Sequence, residues 1–424
     1  MTSDTIKQDP SCMDDFDPAS LDSKQALQQI LNSLAAKNST EILPIRETLG
    51  RTLAHNINSK INVPGHTNSA MDGYAIHGAD IPNQGTNSLI NIGTAFAGRP
   101  YSAKVNTGEC VRIMTGAAMP SNTDTVIMQE HVEVNGNNIK IGDTNEVGQN
   151  VRQAGEDIPI DGEVLRKGKN LTPADIGLLA SVGISEVEVI KKIRVAFFST
   201  GDELRPVGSQ LEVGQIYDSN RYTLYGMLAR LGVEIIDLGV IEDKQEIVEQ
   251  AFLDAADQAD VIITSGGVSV GDADFVKQTL EKIGEVNFWK VAMKPGRPLA
   301  FGKIKNAQFF GLPGNPVSVM VTFYMFVQPA LKKLMGQEHK DPIMISAKCG
   351  TRLRKRPGRI EYQRGILSCN DNTPIQHQVV KTGAQGSGIL RSMSDANCFI
   401  ILPMESNGVE VGDEVQVIPF EILI

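Results

Sequence analysis

The chain has little cysteine, and what it has is scattered. Five residues, Cys12, Cys110, Cys349, Cys369 and Cys398, form no CxxC pair and no His/Cys cluster. That excludes a structural zinc site and a disulfide framework, and leaves reduced thiols as the expectation. No apolar run is long enough to span a bilayer. The opening "MTSDTIKQDPSCMDDFDPAS" is acidic and polar without a hydrophobic segment, so it does not read as a signal peptide, and the expected address is the cytoplasm. A GxxxxGK[ST] loop and a strand–GxGxxG–helix unit are both missing, which removes support from ordinary NTPase and dinucleotide readings. Excess basic charge is missing too. The formal net charge of −10 argues against a nucleic-acid partner.

What is present is the composition of an ordinary soluble globular protein, 41% hydrophobic and 21% charged. At about 150 residues per domain, 424 residues predict roughly three domains. Residues 1–20 read as a mobile tail. "LDSKQALQQILNSLAAKN" then places Leu27, Ile30, Leu31 and Leu34 at helical spacing, with Asp22 and Gln25 in capping-box spacing. Residues 61–150 switch to short alternating segments; "VEVNGNNIKI" predicts a hairpin turning at Asn135-Gly136. "LTPADIGLLASVG" predicts a helix capped by Thr172, with Pro173 first, Asp175 completing the box and Gly183 ending it. Residues 21–60 and 151–190 are taken as one mixed domain into which 61–150 is inserted.

From 191 to 338 apolar strands ("IRVAFFST", "VEIIDLGV", "ADVIITSGG") alternate with amphipathic helices. That order predicts a doubly wound, mostly parallel sheet, with ligands at the carboxyl ends of its strands. Residues 339–424 return to short alternating strands, as in a β-barrel or sandwich.

Four segments lie where such strands end. "STGDEL" offers hydroxyls and the hard oxygen ligands Asp202 and Glu203, or simply a turn. "TSGGVSVGDADF" offers anion-accepting backbone at Gly266 and Gly267. Taken alone, Asp272 reads better as the cap of the following helix and Asp274 as an acid of its first turn favoured by the dipole. "AMKPGRPLAF" sets Lys294 and Arg297 on a rigid turn with Lys290 upstream, suited to an oxyanion or to solvent. "GLPGNPVSVM" places Asn315 as cap, Pro316 first and Ser318 in the first turn of another helix. Together the segments pose a conflict: glycine loops and cations attract an anion that the carboxylates repel. Mg²⁺ between carboxylate and phosphate removes it, so a phosphorylated ligand with magnesium is predicted. No histidine lies in these segments, which argues against imidazole-based catalysis.

Eight motifs in order, "NSAMDGYA", "RIMTGA", "AGEDI", "STGDEL", "YDSNR", "TSGGVSVGDAD", "MKPGRP" and "LPGNPVS", resemble the molybdopterin molybdenumtransferases, the MoeA and gephyrin E-domain family. The likeness runs from about residue 20 to the end. It implies four domains: an elongated mixed domain, an inserted β domain, a central molybdopterin-binding α/β domain and a C-terminal β-barrel. A homodimer is implied as well, with the site between the α/β domain and partner elements. The implied reaction moves molybdenum from molybdate into adenylylated molybdopterin with Mg²⁺, releasing AMP and forming molybdenum cofactor.

Carried over by motif, Asp243, Asp274 and Glu203 surround the metal and phosphates. Lys290 and Lys294 meet substrate phosphate, and Asp218 and Ser269 the molybdate or pterin side. Asp72, Thr115 and Asp157 belong to motifs reaching the cleft from the other domains, and Arg364 and Ser387 to the barrel. Arg297 stands where related chains commonly have lysine, a wider and forked cation. A molybdopterin adenylyltransferase and apo-molybdoenzymes or their chaperones are the implied partners. Two alternatives stand beside this reading. An adenylyltransferase would share the α/β loops but leaves "NSAMDGYA" and "RIMTGA" without a role, and a scaffold of gephyrin type has no need of the carboxylates.

Overall fold

A computed structural model describes residues 20–266, 275–370 and 376–423, which divide into two compact units, residues 40–189 and the remainder. Helix α1 (Ser23–Ser33) starts at Asp22, whose carboxylate accepts the Lys24 and Gln25 N–H groups at 2.9 and 3.2 Å. Its apolar stripe, Ala26, Ile30 and Leu34, is buried in the core of the larger unit. The periodicity predicted the helix, but only packing assigns it to that core and not to residues 40–60.

The unit 40–189 is built on a mixed sheet of β1 (Gly73–Ile76), β2 (Thr86–Ala95), β3 (Glu109–Ile113), β4 (Thr125–Met128), β5 (Glu133–Asn135) and β6 (Asn138–Gly142). Their order is β4-β1-β3-β2-β6-β5. The β5–β6 hairpin pairs Asn135 with Asn138, so the loop is Gly136-Asn137, one residue later than predicted. Gly136 supplies the positive φ, 61°, that the first loop position demands. Helix α2 (Pro173–Ser181) forms as its sequence dictates. Thr172 and Asp175 exchange capping-box bonds, Pro173 opens the first turn, and Gly183 follows at φ 77°.

In the larger unit, β7 (Arg194–Thr200), α3 (Ser219–Leu231), β8 (Glu234–Ile241), α4 (Gln245–Gln258), β9 (Val261–Ser265) and α5 (Phe275–Ile283) alternate. A hairpin edge follows: β10 (Gly284–Lys290), β11 (Met293–Lys294), β12 (Pro298–Ile304) and β13 (Ala307–Leu312). The sheet order is β8-β7-β9-β13-β12-β10. β7, β8, β9 and β13 run parallel, while β12 is antiparallel to both β13 and β10. Strand β7 shows why both faces are covered. Val195 and Phe197 enter the core shared with α3, and Ala196 and Phe198 enter the core shared with α4 and α5. Phe198, Phe252 and Phe309 meet edge to face at 5.0 and 5.5 Å. Each buried phenyl contributes about 1.5–3 kcal/mol.

Helix α6 (Pro316–Thr322), a π segment over Phe323–Val327 and α7 (Gln328–Leu334) lead to the C-terminal strands. These are β14 (Ile345–Cys349), β15 (Leu353–Arg354), β16 (Ile360–Asn370), β17 (Gln376–Lys381), β18 (Cys398–Leu402), β19 (Gly408–Val409) and β20 (Glu414–Pro419). β16, β17, β14, β20 and β18 close on themselves through the β16–β18 pairing, a five-stranded barrel. β18 faces two ways: Cys398, Ile400 and Leu402 fill the barrel, whereas Phe399 and Ile401 pack into the α/β core. β11 pairs with β16, so the chain segment before "PGRP" is stitched to the barrel.

Candidate active site

The parallel register carries the ends of β7, β8, β9 and β13 to one edge of the sheet, and two reversals bring the end of β10 there as well. All four strand-end motifs therefore meet. Gly266 has φ 94°, and a Cβ on it would stand 3.0 Å from the Thr200 carbonyl, so only glycine lets β9 leave the sheet beside β7. Its N–H donates to the Leu312 carbonyl at 3.1 Å. Gly267, Ser269, Asp272 and Asp274 lie outside the described residues.

"YDSNR" builds the wall above this edge. Asp218 caps α3, accepting the Arg221 N–H at 3.1 Å. Asn220 Nδ2 donates to Ser265 Oγ at 2.8 Å and to the Gly314 carbonyl at 2.6 Å. Arg221 Nε grips both oxygens of Asp237 on β8 at 2.8 and 2.9 Å. Three oxygens are left over. Ser199 Oγ, Asp218 Oδ2 and Asn220 Oδ1 are buried with no hydrogen-bond partner among the described residues. Ser199 is 1% exposed and Asp218 3%. Buried polar atoms are normally satisfied, and three unsatisfied ones around one strand edge mark a ligand surface that asks mainly for donors.

On the β8 side, burial first, then Asp202 and Glu203, push the Asp243 carboxyl above its ordinary value. The Asp243 carboxyl thus feels two carboxylates from the adjacent strand end. Among the described residues no group of three His, Cys, Asp or Glu side chains is set to hold a metal.

On the β10 side, Lys290 is exposed at the strand end. Lys294 pairs with the buried Glu361 of β16 at 3.5 Å. Arg297 is half-buried, and its carbonyl accepts the Val291 N–H at 2.7 Å, closing the turn. Gly296, at φ 96°, presses this turn on α6, where a Cβ would come within 2.6 Å of Thr322 Oγ1. Ser318 is buried beneath it.

Asn315 occupies the cap position of α6, yet its side chain makes no capping bond. The Ser387 carbonyl instead takes the Val317 N–H at 3.0 Å, bringing Ser387 to that helix end. Arg364 is 1% exposed. Its guanidinium donates to Ser392 Oγ at 3.0 Å and to the Gly386 carbonyl at 3.1 Å, and burial lowers its pKa to about 10.

Asp72, Thr115 and Asp157 are in the other unit. The Asp72 carboxylate accepts the Thr115 N–H at 2.7 Å and its hydroxyl at 2.8 Å, which hold it below the ordinary carboxylate range. Asp157 is exposed, its N–H bound to the Val63 carbonyl at 3.0 Å. Sequence reasoning passed over Asn220 and Glu361. Asn220 stood in a quoted motif directly after the helix cap, which was the available signal. Glu361 had none, since only the barrel pairing sets it against Lys294.

Comparison with known proteins decides among the candidate chemistries. Residues 21–183 match the MoeA N-terminal region (domain I and II), 196–333 a probable molybdopterin binding domain, and 346–420 the MoeA C-terminal region (domain IV). A molybdopterin molybdenumtransferase of Haemophilus influenzae is 46% identical over 402 residues, 94% of this chain and 98% of the relative. The chain belongs to the molybdopterin molybdenumtransferase family. A Nostoc member of that name is 33% identical over 413 residues, covering 96% of this chain and 94% of its own. The molybdopterin biosynthesis MoeA protein of Pyrococcus horikoshii superposes with a TM-score of 0.81 at 30% identity, over 94% of this chain and all of that one. Among the described residues, no helix is long and apolar enough to cross a membrane.

Proposed function

We propose that this chain is an enzyme that inserts molybdenum from molybdate into adenylylated molybdopterin, releasing AMP and forming molybdenum cofactor. The observation that carries the reading is the trio of buried oxygens, Ser199 Oγ, Asp218 Oδ2 and Asn220 Oδ1, at the converged strand ends, which have no hydrogen-bond partner among the described residues. A pterin or purine edge is rich in N–H donors, the complement of such a surface. Lys290, Lys294 and Arg297 lie on the opposite flank, where they offset the charge of phosphate and molybdate. The protein's main work is then to hold two mutually repelling anions together in a reactive orientation.

Magnesium fits the donor set. Burial first, then the charges of Asp202 and Glu203, raise the Asp243 carboxyl, and a hard cation offsets that cost of ionisation. Asp243 and Glu203, with Asp274, which lies outside the described residues, are the residues that would hold it, and Mg²⁺ would supply charge neutralisation between carboxylate and pyrophosphate. The division into a tail, a mixed domain drawn from 21–60 and 151–190 but without α1, which packs in the larger unit, an inserted β domain (61–150), an α/β domain (191–338) and a barrel (339–424) belongs to the same proposal. So does a cytoplasmic homodimer in which Asp72, Thr115 and Asp157 serve the partner's cleft.

The test is incubation with adenylylated molybdopterin, molybdate and Mg²⁺, reading AMP release and reconstitution of an apo-molybdoenzyme. Folded protein that yields neither would end the proposal.

A further inference from the structure

The parallel strands have a second edge. Where β7, β9 and β13 begin, opposite the converged strand ends, a cavity of about 430 Å³ lies between the segment after α1, the end of α4 and the β12–β13 turn. The reaction proposed above uses none of its residues. Ala35, Ile193, Ala256, Ala259 and Leu334 give it an apolar wall, and Lys37, Arg194 and Lys305 bring three cations from three separate elements.

Two aspartates answer those cations and are spent in doing so. Asp260 Oδ2 accepts Lys37 Nζ at 2.7 Å and the Arg194 backbone N–H at 2.7 Å. Both Asp257 oxygens accept Lys305 Nζ, each at 2.8 Å. The cations keep donors free. Lys37 Nζ spends a second N–H on the Lys192 carbonyl at 3.3 Å, which leaves its third. The Arg194 guanidinium stands 3.8 Å from Asp260, too far for a hydrogen bond. The side-chain amides of Asn306 and Gln308, on the same wall, make no hydrogen bond among the described residues.

Lys305 sits in this wall against its backbone preference. It opens the two-residue turn between β12 and β13 at φ 51°, a left-handed conformation that glycine adopts freely and a residue with a Cβ does not. Its ion pair with Asp257 is exposed on both sides, and exposed pairs return little. The pair does not offset the strain, so what the lysine adds is an ammonium at the cavity.

Three cations against two carboxylates leave one positive charge beside an apolar wall. A monoanion restores neutrality, whereas a phosphate dianion would face Asp257 and Asp260 at close range. A cavity of this size takes a small molecule, and an apolar body on it would cover the aliphatic wall. We propose that this cavity binds a small organic carboxylate, with the Arg194 guanidinium and the Lys305 ammonium taking its oxygens. The site is independent of the proposed function.

Titration calorimetry of the full chain with benzoate tests it. Saturable binding with a Kd below about 1 mM is expected, weakened in about 0.5 M salt. Benzamide, which keeps the ring without the charge, and inorganic phosphate at about pH 8 should each bind at least about tenfold more weakly. Arg194→Ala keeps the backbone bond to Asp260 and should raise Kd at least about tenfold. Lys305→Gly relieves the turn while removing the ammonium, so Kd should rise about threefold or more with the thermal midpoint unchanged or higher. If Arg194→Ala does not fold, Lys305→Gly decides alone. Arg166→Ala, an exposed arginine of the other unit, should leave Kd unchanged. Absence of saturable benzoate binding, equal binding of benzamide or phosphate, wild-type affinity in a folded cavity variant, or equal loss in the control each overturns the assignment. Molybdenum insertion is not the readout, so such a failure leaves the proposed function untouched.

Discussion

Asn220 holds Gly314. Its Nδ2 donates to the Gly314 carbonyl at 2.6 Å, and the same nitrogen reaches Ser265 Oγ at 2.8 Å. One amide thereby fixes the start of α3 against the ends of β9 and β13, with its own oxygen buried and without a partner among the described residues. Asn220→Ala removes the tie and leaves the buried Ser265 hydroxyl without this donor, a cost of about 1–3 kcal/mol. A fall of roughly 10- to 100-fold in kcat/KM for insertion is expected, with the thermal midpoint a few degrees lower at most. Asn220→Asp should be worse, because it sets a carboxylate oxygen against the Gly314 carbonyl. Unchanged kinetics in both variants would remove Asn220 from the site.

Asp243 makes stability and function oppose each other. Its carboxyl pKa is raised by burial, Asp202 and Glu203 above the ordinary 3.8. A raised carboxyl contributes stability below its unfolded value and loses that contribution as pH rises through the folded value. At pH 7 the ionised group is therefore a net cost. Asn at this position should raise the midpoint at pH 7 by on the order of 1–3 °C, the gain shrinking as pH falls toward about 4, while insertion falls. A lower midpoint at pH 7 would contradict the electrostatic account.

Gly266 and Gly314 are neighbours with opposite tolerances. Gly266 combines φ 94° with a Cβ position 3.0 Å from the Thr200 carbonyl, whereas a Cβ at Gly314 meets only Gly266 Cα, at 4.0 Å. Gly266→Ala should cost about 1–3 kcal/mol in urea denaturation, and Gly314→Ala within about 0.5 kcal/mol of nothing. Equal costs would mean that the loop relaxes and that glycine is not conformationally required at 266.

Much of the fold was legible because local chemistry agreed with the final structure. Thr172, Pro173 and Asp175 make a capping box wherever the chain places them, and β7 reads as a buried strand because both of its faces are apolar. Legibility ended where one residue's position depended on a distant one. Asn315 has a cap residue's identity, but the Ser387 carbonyl meets the first turn of α6 instead. The hairpin loop is Gly136-Asn137 and not Asn135-Gly136, because a two-residue turn that demands positive φ at its first position takes glycine there and pairs Asn135 with Asn138.

The sequence by itself determined the helices, the doubly wound order and the motifs that mark a molybdopterin molybdenumtransferase. These follow from short-range periodicity, capping and turn chemistry, which act within a few residues. Only the tertiary structure decided that α1 packs in the larger unit and that β16 and β18 close the barrel. Long-range contact alone brings Glu361 to Lys294 and leaves Ser199, Asp218 and Asn220 each with an oxygen that has no partner among the described residues around one strand edge. Hydrogen-bond satisfaction and desolvation are properties of the assembled surroundings, so no local reading of the chain contains them.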